Sequence, residues 1–170
     1  IVGSDHVCLD LNGKTLMGSS RAFDITKGVL NITDCGSGKI EAAEGTRAGI
    51  LYTYKGKLNM YGGTVDAGKC GAANSGAITV GYAGDELNIY GGTIIGSQNS
   101  KAGGSIYMNA AGTVTIYGGT VKNGKSSAGG GNIHIAAGET FIKGGTITGG
   151  TAGYGGNIQV YKAAVLYISD

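Results

Sequence analysis

Proline and tryptophan are absent from this chain of 170 residues, phenylalanine occurs twice and cysteine three times, and charged residues make up only 14%. Without proline, and without a Gly-X-Y period, a collagen-type helix is excluded. Thirteen basic against eleven acidic residues leave a net charge of +2, too thin for a nucleic-acid footprint, so no nucleic-acid partner is expected. No apolar run approaches the ~18 residues that a membrane span needs, and no membrane insertion is expected. Cys-x-x-Cys spacing and the repeat-type calcium motif Gly-Gly-x-Gly-x-Asp are both missing, so the sequence calls for no metal and no cofactor. What is abundant is glycine, at 36 positions, beside 41% hydrophobic residues, enough apolar surface to offset the entropy of ordering.

The chain repeats itself. Leu58-Asn59-Met60-Tyr61-Gly62-Gly63-Thr64-Val65 returns as Leu87-Asn88-Ile89-Tyr90-Gly91-Gly92-Thr93-Ile94 and as Val114-Thr115-Ile116-Tyr117-Gly118-Gly119-Thr120-Val121, with a weaker copy from Thr140 to Ile147. Met60, Ile89, Ile116 and Ile142 are spaced by 29, 27 and 26 residues; Ile32 extends the row backwards, Ile168 forwards, and Leu11 reads as a shorter first turn. A second segment recurs in the same frame at Ile50, Ile78, Ile106, Ile133 and Ile158. Each segment alternates apolar and polar residues, the period of a half-buried strand, and the Gly-Thr-Val/Ile after each glycine pair reads as a third short strand. No stretch shows a helical period. Short strands in the same order in every unit predict an all-β fold, a parallel β-helix (β-solenoid) of about six coils of 26–29 residues, each coil stacked about 4.8 Å above the last. A right-handed winding follows from the general preference of parallel crossovers. Variation in coil length is expected to fall in the bends, with residues 66–76 the protruding loop.

The Leu-Asn-Ile-Tyr-Gly-Gly-Thr-Ile units, led by Leu9-Asp10-Leu11-Asn12-Gly13-Lys14-Thr15-Leu16, resemble the right-handed parallel β-helix domains of large bacterial surface and secreted proteins in the pectate-lyase-like superfamily, over residues 7–168. The resemblance implies an extracellular or cell-surface bacterial setting. It leaves function open among lyases, hydrolases, tailspikes and adhesive stalks. The chain reads as one β-helix domain, residues 1–170, and as a segment of a longer protein, because neither end carries a polar cap; end-to-end self-association is the expected substitute for caps.

Inward-pointing Leu58, Met60, Leu87, Ile89, Val114 and Ile116 place Tyr61, Tyr90 and Tyr117 in one outward column, with Asn59, Asn88 and Thr115 beside them and Lys143 in the next coil. Stacked identical residues support one another where strands lie in register. The same strip offers rings, amides and hydroxyls to a sugar, and these five tyrosines and asparagines are the candidate ligand-binding residues. Candidate catalytic residues are none. Asp66 stacks over Ile95, Lys122 and Thr148 with no acidic neighbour in its row, and Glu86 and Glu139 share a register position across Thr113, about two coils or 9.6 Å apart. His134 falls in an outward row with Leu51, Thr79, Tyr107 and Gln159, a solvated strand residue. Cys8 and Cys35 lie about one coil apart, where a bridge is conceivable, but all three cysteines read as buried small hydrophobes in bends. A threonine column, Thr64, Thr93, Thr120 and Thr146, lacks the paired Thr-x-Thr rows of ice-binding solenoids. The function that fits is a non-catalytic stalk or adhesin module that meets a glycan or host-surface ligand through the tyrosine column. The alternatives are a polysaccharide-acting lyase or glycoside hydrolase and a filament-forming structural solenoid.

Overall fold

A computed structural model describes the chain apart from residues 1, 4, 45–48, 69, 71–75, 99 and 170. The loop expected at 66–76 lies largely outside the described residues, as do the end residues Ile1 and Asp170. Among the described residues there is no helix, and so none long and apolar enough to cross a membrane. The strands form a parallel β-solenoid of about six turns with three faces.

Strands His6–Asp10, Val29–Thr33, Lys57–Met60, Glu86–Ile89 and Thr113–Ile116 make the first face. Thr15–Gly18, Lys39–Ala42, Thr64–Asp66, Thr93–Ile95, Thr120–Lys122 and Thr146–Thr148 make the second. Phe23–Thr26, Leu51–Tyr54, Ile78–Val80 and Ile106–Met108 make the third. In the last coils the long strands Ile133–Ile142 and Ile158–Ile168 run unbroken from the third face onto the first. Every pairing is parallel, and the strands of the first face stay in register from Val29–Thr33 to Thr113–Ile116, so Leu58, Leu87 and Val114 stack as one buried row and Met60, Ile89 and Ile116 as another. Each such side chain is fully desolvated by its own coil and the two beside it, worth roughly 1.5–3 kcal/mol apiece.

Glycine pairs turn the corner from the first face to the second. Gly92 has φ +86°, and a Cβ there would stand 2.6 Å from the Gly63 carbonyl oxygen of the neighbouring corner. Only glycine lets successive corners approach at the strand spacing and hold a left-handed conformation. The first coil uses a longer corner instead. Asn12 and Gly13 both have positive φ, and the Asp34 carboxylate of the next coil accepts the N–H groups of Gly13 and Gly38, each at 2.8 Å. That longer corner corrects the first turn of the repeat: Leu9, not Leu11, pairs with Ile32, while Leu11 is buried within the bend.

The bond from Gly13, with those from Gly38 and Gly36, holds the Asp34 carboxyl below its ordinary pKa. A carboxyl with a lower pKa in the folded state stabilises above its unfolded pKa and loses that contribution as the pH falls through the folded one. Stability is therefore expected to drop below about pH 4, and Asp34→Asn to flatten that drop. Urea midpoints of both proteins from neutral to acid pH measure this; parallel curves would contradict it.

The third face departs from the repeat in one place. Leu51, not Ile50, pairs with Ile78, so Leu51 points inward and Tyr52 joins the outward row of Asp24, Thr79 and Tyr107. Both Ile50 and Leu51 are buried, Ile50 in the bend before the strand. Two adjacent apolar residues give alternation no preferred phase, and a slip of one residue exchanges the faces.

A small third sheet, absent from the sequence reading, is built from Ser100–Ala102, Lys125–Gly129 and Thr151–Tyr154. These strands lie in loops that leave the coil after the second face and re-enter it at Ile106, Ile133 and Ile158. The loops are pinched shut at their bases. Asn132 Oδ1 accepts the N–H of Gly124 at 2.8 Å and the Ser105 hydroxyl at 3.0 Å, while its amide nitrogen donates to Thr148 O and Asn157 Oδ1, each at 2.8 Å. The loops fold back over the outer side of the third face. As a result His134, expected in solvent, is 8% exposed, with Nδ1 3.2 Å from the Gly129 carbonyl oxygen and its ring against Tyr107 and Tyr161.

Candidate functional site

The tyrosine column stands where the spacing put it, at the edge of the first face just before the glycine corners. Tyr61 and Tyr90 have ring centroids 4.8 Å apart and planes 5° from parallel; Tyr90 and Tyr117 are 4.8 Å apart at 2°. In-register backbones impose that separation, and each stacked pair adds about 0.5–1.5 kcal/mol beyond burial. The rings are 49%, 43% and 43% exposed. Their faces are turned to one another, so what the column offers to solvent is ring edges and a row of phenol hydroxyls.

The strip is longer than the sequence reading. In the layer above Tyr117 the Lys143 ammonium lies 5.3 Å from the Tyr117 ring centre and 5.9 Å from that of Phe141, and Phe141 stacks on Tyr167 at 4.8 Å. Phe141 and Tyr167 continue the asparagine column rather than the tyrosine column, being in register with Thr115. The aromatic surface thus runs through five successive layers, stepping sideways at Lys143. The signal was present in the sequence, since the weak fourth repeat carries Phe141 at the asparagine position.

Asn59 and Asn88 sit beside the rings as expected, but their amides are used within the fold. Asn59 Nδ2 donates to Asn31 Oδ1 at 2.8 Å and Asn88 Nδ2 to Asn59 Oδ1 at 3.0 Å. They are 7% and 8% exposed, so the amide ladder forms the floor between two ridges, the tyrosines on one side and Lys57 and Glu86 on the other.

Among the carboxylates, Glu86, Thr113 and Glu139 do share one row, and Glu86 pairs with Lys57 at 2.8 Å. That hydrogen bond raises the Lys57 pKa. Asp66 lies in register with Ile95, Lys122 and Thr148 as expected, but on its other side it has an acidic neighbour, Glu41. The sequence reading missed this because the corner between Val29–Thr33 and Lys39–Ala42 is longer than the later glycine corners, which leaves 25 residues from Lys39 to Thr64 on the second face although Ile32 and Met60 are 28 apart on the first. Glu41 is 9% exposed and forms an ion pair with Lys39, while Asp66 accepts the Gly68 N–H at 2.8 Å. Burial and the nearby Asp66 charge push the Cys70 thiol up to about 11, so it stays protonated at neutral pH.

The other two cysteines differ from expectation. Cys8 and Cys35 are exposed, and Cys8 lies in a strand, paired with Asn31 rather than near Cys35. A coil of 23 residues separates Leu9 from Ile32 here, not the 27 between the cysteines, which is why the spacing misled. Among the described residues no group of three metal-ligating side chains comes together. No family, no curated protein and no solved structure matches this chain, and its affiliation therefore rests on the fold, an all-β parallel solenoid of about six turns.

Proposed function

We propose that the chain is a rigid, non-catalytic module of a bacterial surface or secreted protein, a stalk or adhesive rod of the right-handed, pectate-lyase-like kind, which touches glycans through its first face. The observation that carries this reading is the aromatic strip that spans five layers of the first face, with Tyr61, Tyr90, Tyr117 and Tyr167 exposed. A polymer lying along the solenoid axis would meet the three phenols of Tyr61, Tyr90 and Tyr117, their rings 4.8 Å apart, and then Lys143. Each contact is modest, and the binding becomes useful when many modules act together.

Because the ring faces are occupied by one another, the hydroxyls carry the contact. Tyr90→Phe is expected to keep the stack and the unfolding midpoint while weakening glycan retention several-fold, as loss of one hydrogen bond of about 1 kcal/mol implies. Tyr90→Ala should weaken both. Affinity chromatography on immobilised glycans beside thermal unfolding reads the two effects; retention unchanged in Tyr90→Phe would reject the hydroxyl row as the binding surface.

A polysaccharide-acting enzyme is the second reading, and the stacked pair Glu41 and Asp66 is the observation in its favour. Burial of Glu41 against Lys39 weighs against it. Sugar released by the purified chain, and lost in Asp66→Asn, would favour the enzyme.

A further inference from the structure

The first face is charge-complementary to itself. Counting layers from the N-terminal end, Asp10 and His6 lie in the first, Lys57 and Tyr61 in the third, Glu86 and Tyr90 in the fourth, and Lys143 and Glu139 in the sixth. All these side chains point outward on the one face. Consider a two-fold axis along the strand direction, passing midway between the third and fourth layers. It lays a second copy face to face, end for end, with each column opposite its own counterpart. Lys57 of one copy then meets Glu86 of the other, Asp10 meets Lys143, His6 meets Glu139, and Tyr61 meets Tyr90. Every contact occurs twice, as an isologous interface requires.

The register decides between this axis and its neighbours. Moving the axis half a layer sets Lys57 against Lys57, or Glu86 against Glu86, and like charges facing across an interface are strongly unfavourable. Moving it a full layer leaves Asp10 and Lys143 without charged counterparts. At the corner of the face, Lys27 and Lys55 would meet Ala111 and Gly84, so the favoured axis brings no like charges together. We infer that the partner of this face is a second copy of the chain, bound antiparallel through the tyrosine strip and the flanking charges.

Six layers by five residues give a footprint of roughly 400 Å² per copy, which places the contact in the small, transient class. It suits adhesion between rods that approach from opposite directions, where weak contacts multiply. The inference shares its face with the adhesive reading, but it is tested without any glycan.

Sedimentation equilibrium of the 170-residue chain, from micromolar to millimolar concentration, should show a weight-average mass rising from monomer toward dimer. Lys143→Glu should weaken the association about tenfold or more, since it sets two acids together at each end of the interface. Asp10→Lys should do the same, and the double variant should restore wild-type association. Asp10 also accepts the Asn12 N–H at 3.0 Å, so the thermal midpoint of each variant is measured beside its mass. A monomer at every concentration, a dimer indifferent to both reversals, or a double variant that stays monomeric would each overturn the pairing. None of those results bears on glycan retention, which Tyr90→Phe tests separately.

Discussion

Replacing Asp85 by alanine is expected to cost about 3 kcal/mol or more in unfolding free energy. Asp85 is fully buried at the corner between the third and first faces, where the two coils on either side carry Gly28 and Gly56, and Gly112 and Gly138. Its carboxylate accepts the Thr53 hydroxyl and the Tyr82 N–H at 2.8 Å, the Gly56 N–H at 3.0 Å and the Gly81 N–H at 3.2 Å. It closes its own turn and, through the Gly56 N–H, ties that turn to the coil below. Alanine would strand three backbone donors away from water, each costing about 1–3 kcal/mol if nothing replaces the acceptor. Asp85→Asn keeps the shape and half of the acceptors, and should fall between the two. Urea unfolding of the three proteins decides: a loss below about 1 kcal/mol in Asp85→Ala would mean that water has reached the turn and that the corner is not sealed.

Gly131→Ala is expected to undo the third sheet. Its Cβ would stand against the Gly156 carbonyl oxygen and the Thr151 nitrogen, both backbone atoms of the next loop, while Gly124 lies against the Gly131 carbonyl oxygen from the other side. The atoms that this Cβ would meet are all backbone, with no flexible side chain among them to swing away. Opening the pinch would break the Asn132 bonds to Gly124 and Asn157 and lift the Lys125–Gly129 strand off His134. We expect roughly 2–3 kcal/mol of destabilisation, the scale of overpacking in a rigid interior. Amide exchange should quicken in Lys125–Gly129 and Thr151–Tyr154 before it quickens in the first face. Ala128, three residues away in the exposed part of the same loop, is the control, and Ala128→Ser should change neither. Equal exchange throughout the coil in Gly131→Ala would show that the loops and the faces open as one unit.

The first face was legible because its pattern is redundant. Leu58 and Met60 alternate with Asn59 and Tyr61 in three near-identical copies, so phase and register follow from any one of them. The third face carried less information. Ile50 and Leu51 are both apolar, hydrophobicity alone sets no phase there, and the hydrogen bonds from both to Ala77 O fix it instead. The early coils misled for a different reason: their bends differ in length, so a register extended from the later coils set Leu11 where Leu9 belongs and hid Glu41 beside Asp66. The third sheet left a trace in Gly104-Ser105, Gly131-Asn132 and Gly156-Asn157, each just before the isoleucine of the next strand. Glycine-rich sequence reads as a bend of any shape, and only the closing of the loop bases turns it into a sheet. The site followed the same rule. Stacking of the tyrosines came from spacing alone, whereas engagement of the asparagine amides by one another depends on how far they sink between the ridges.

The central claim is that the aromatic face binds without reaction. The most direct test is a glycan array with the purified chain, run with calcium and then with chelator, with the supernatants assayed for released or unsaturated sugars. Retention of one or more glycans, unaffected by chelator and with no product, is the predicted result. Turnover of a retained glycan would contradict it and move attention from Tyr61, Tyr90 and Tyr117 to Glu41 and Asp66.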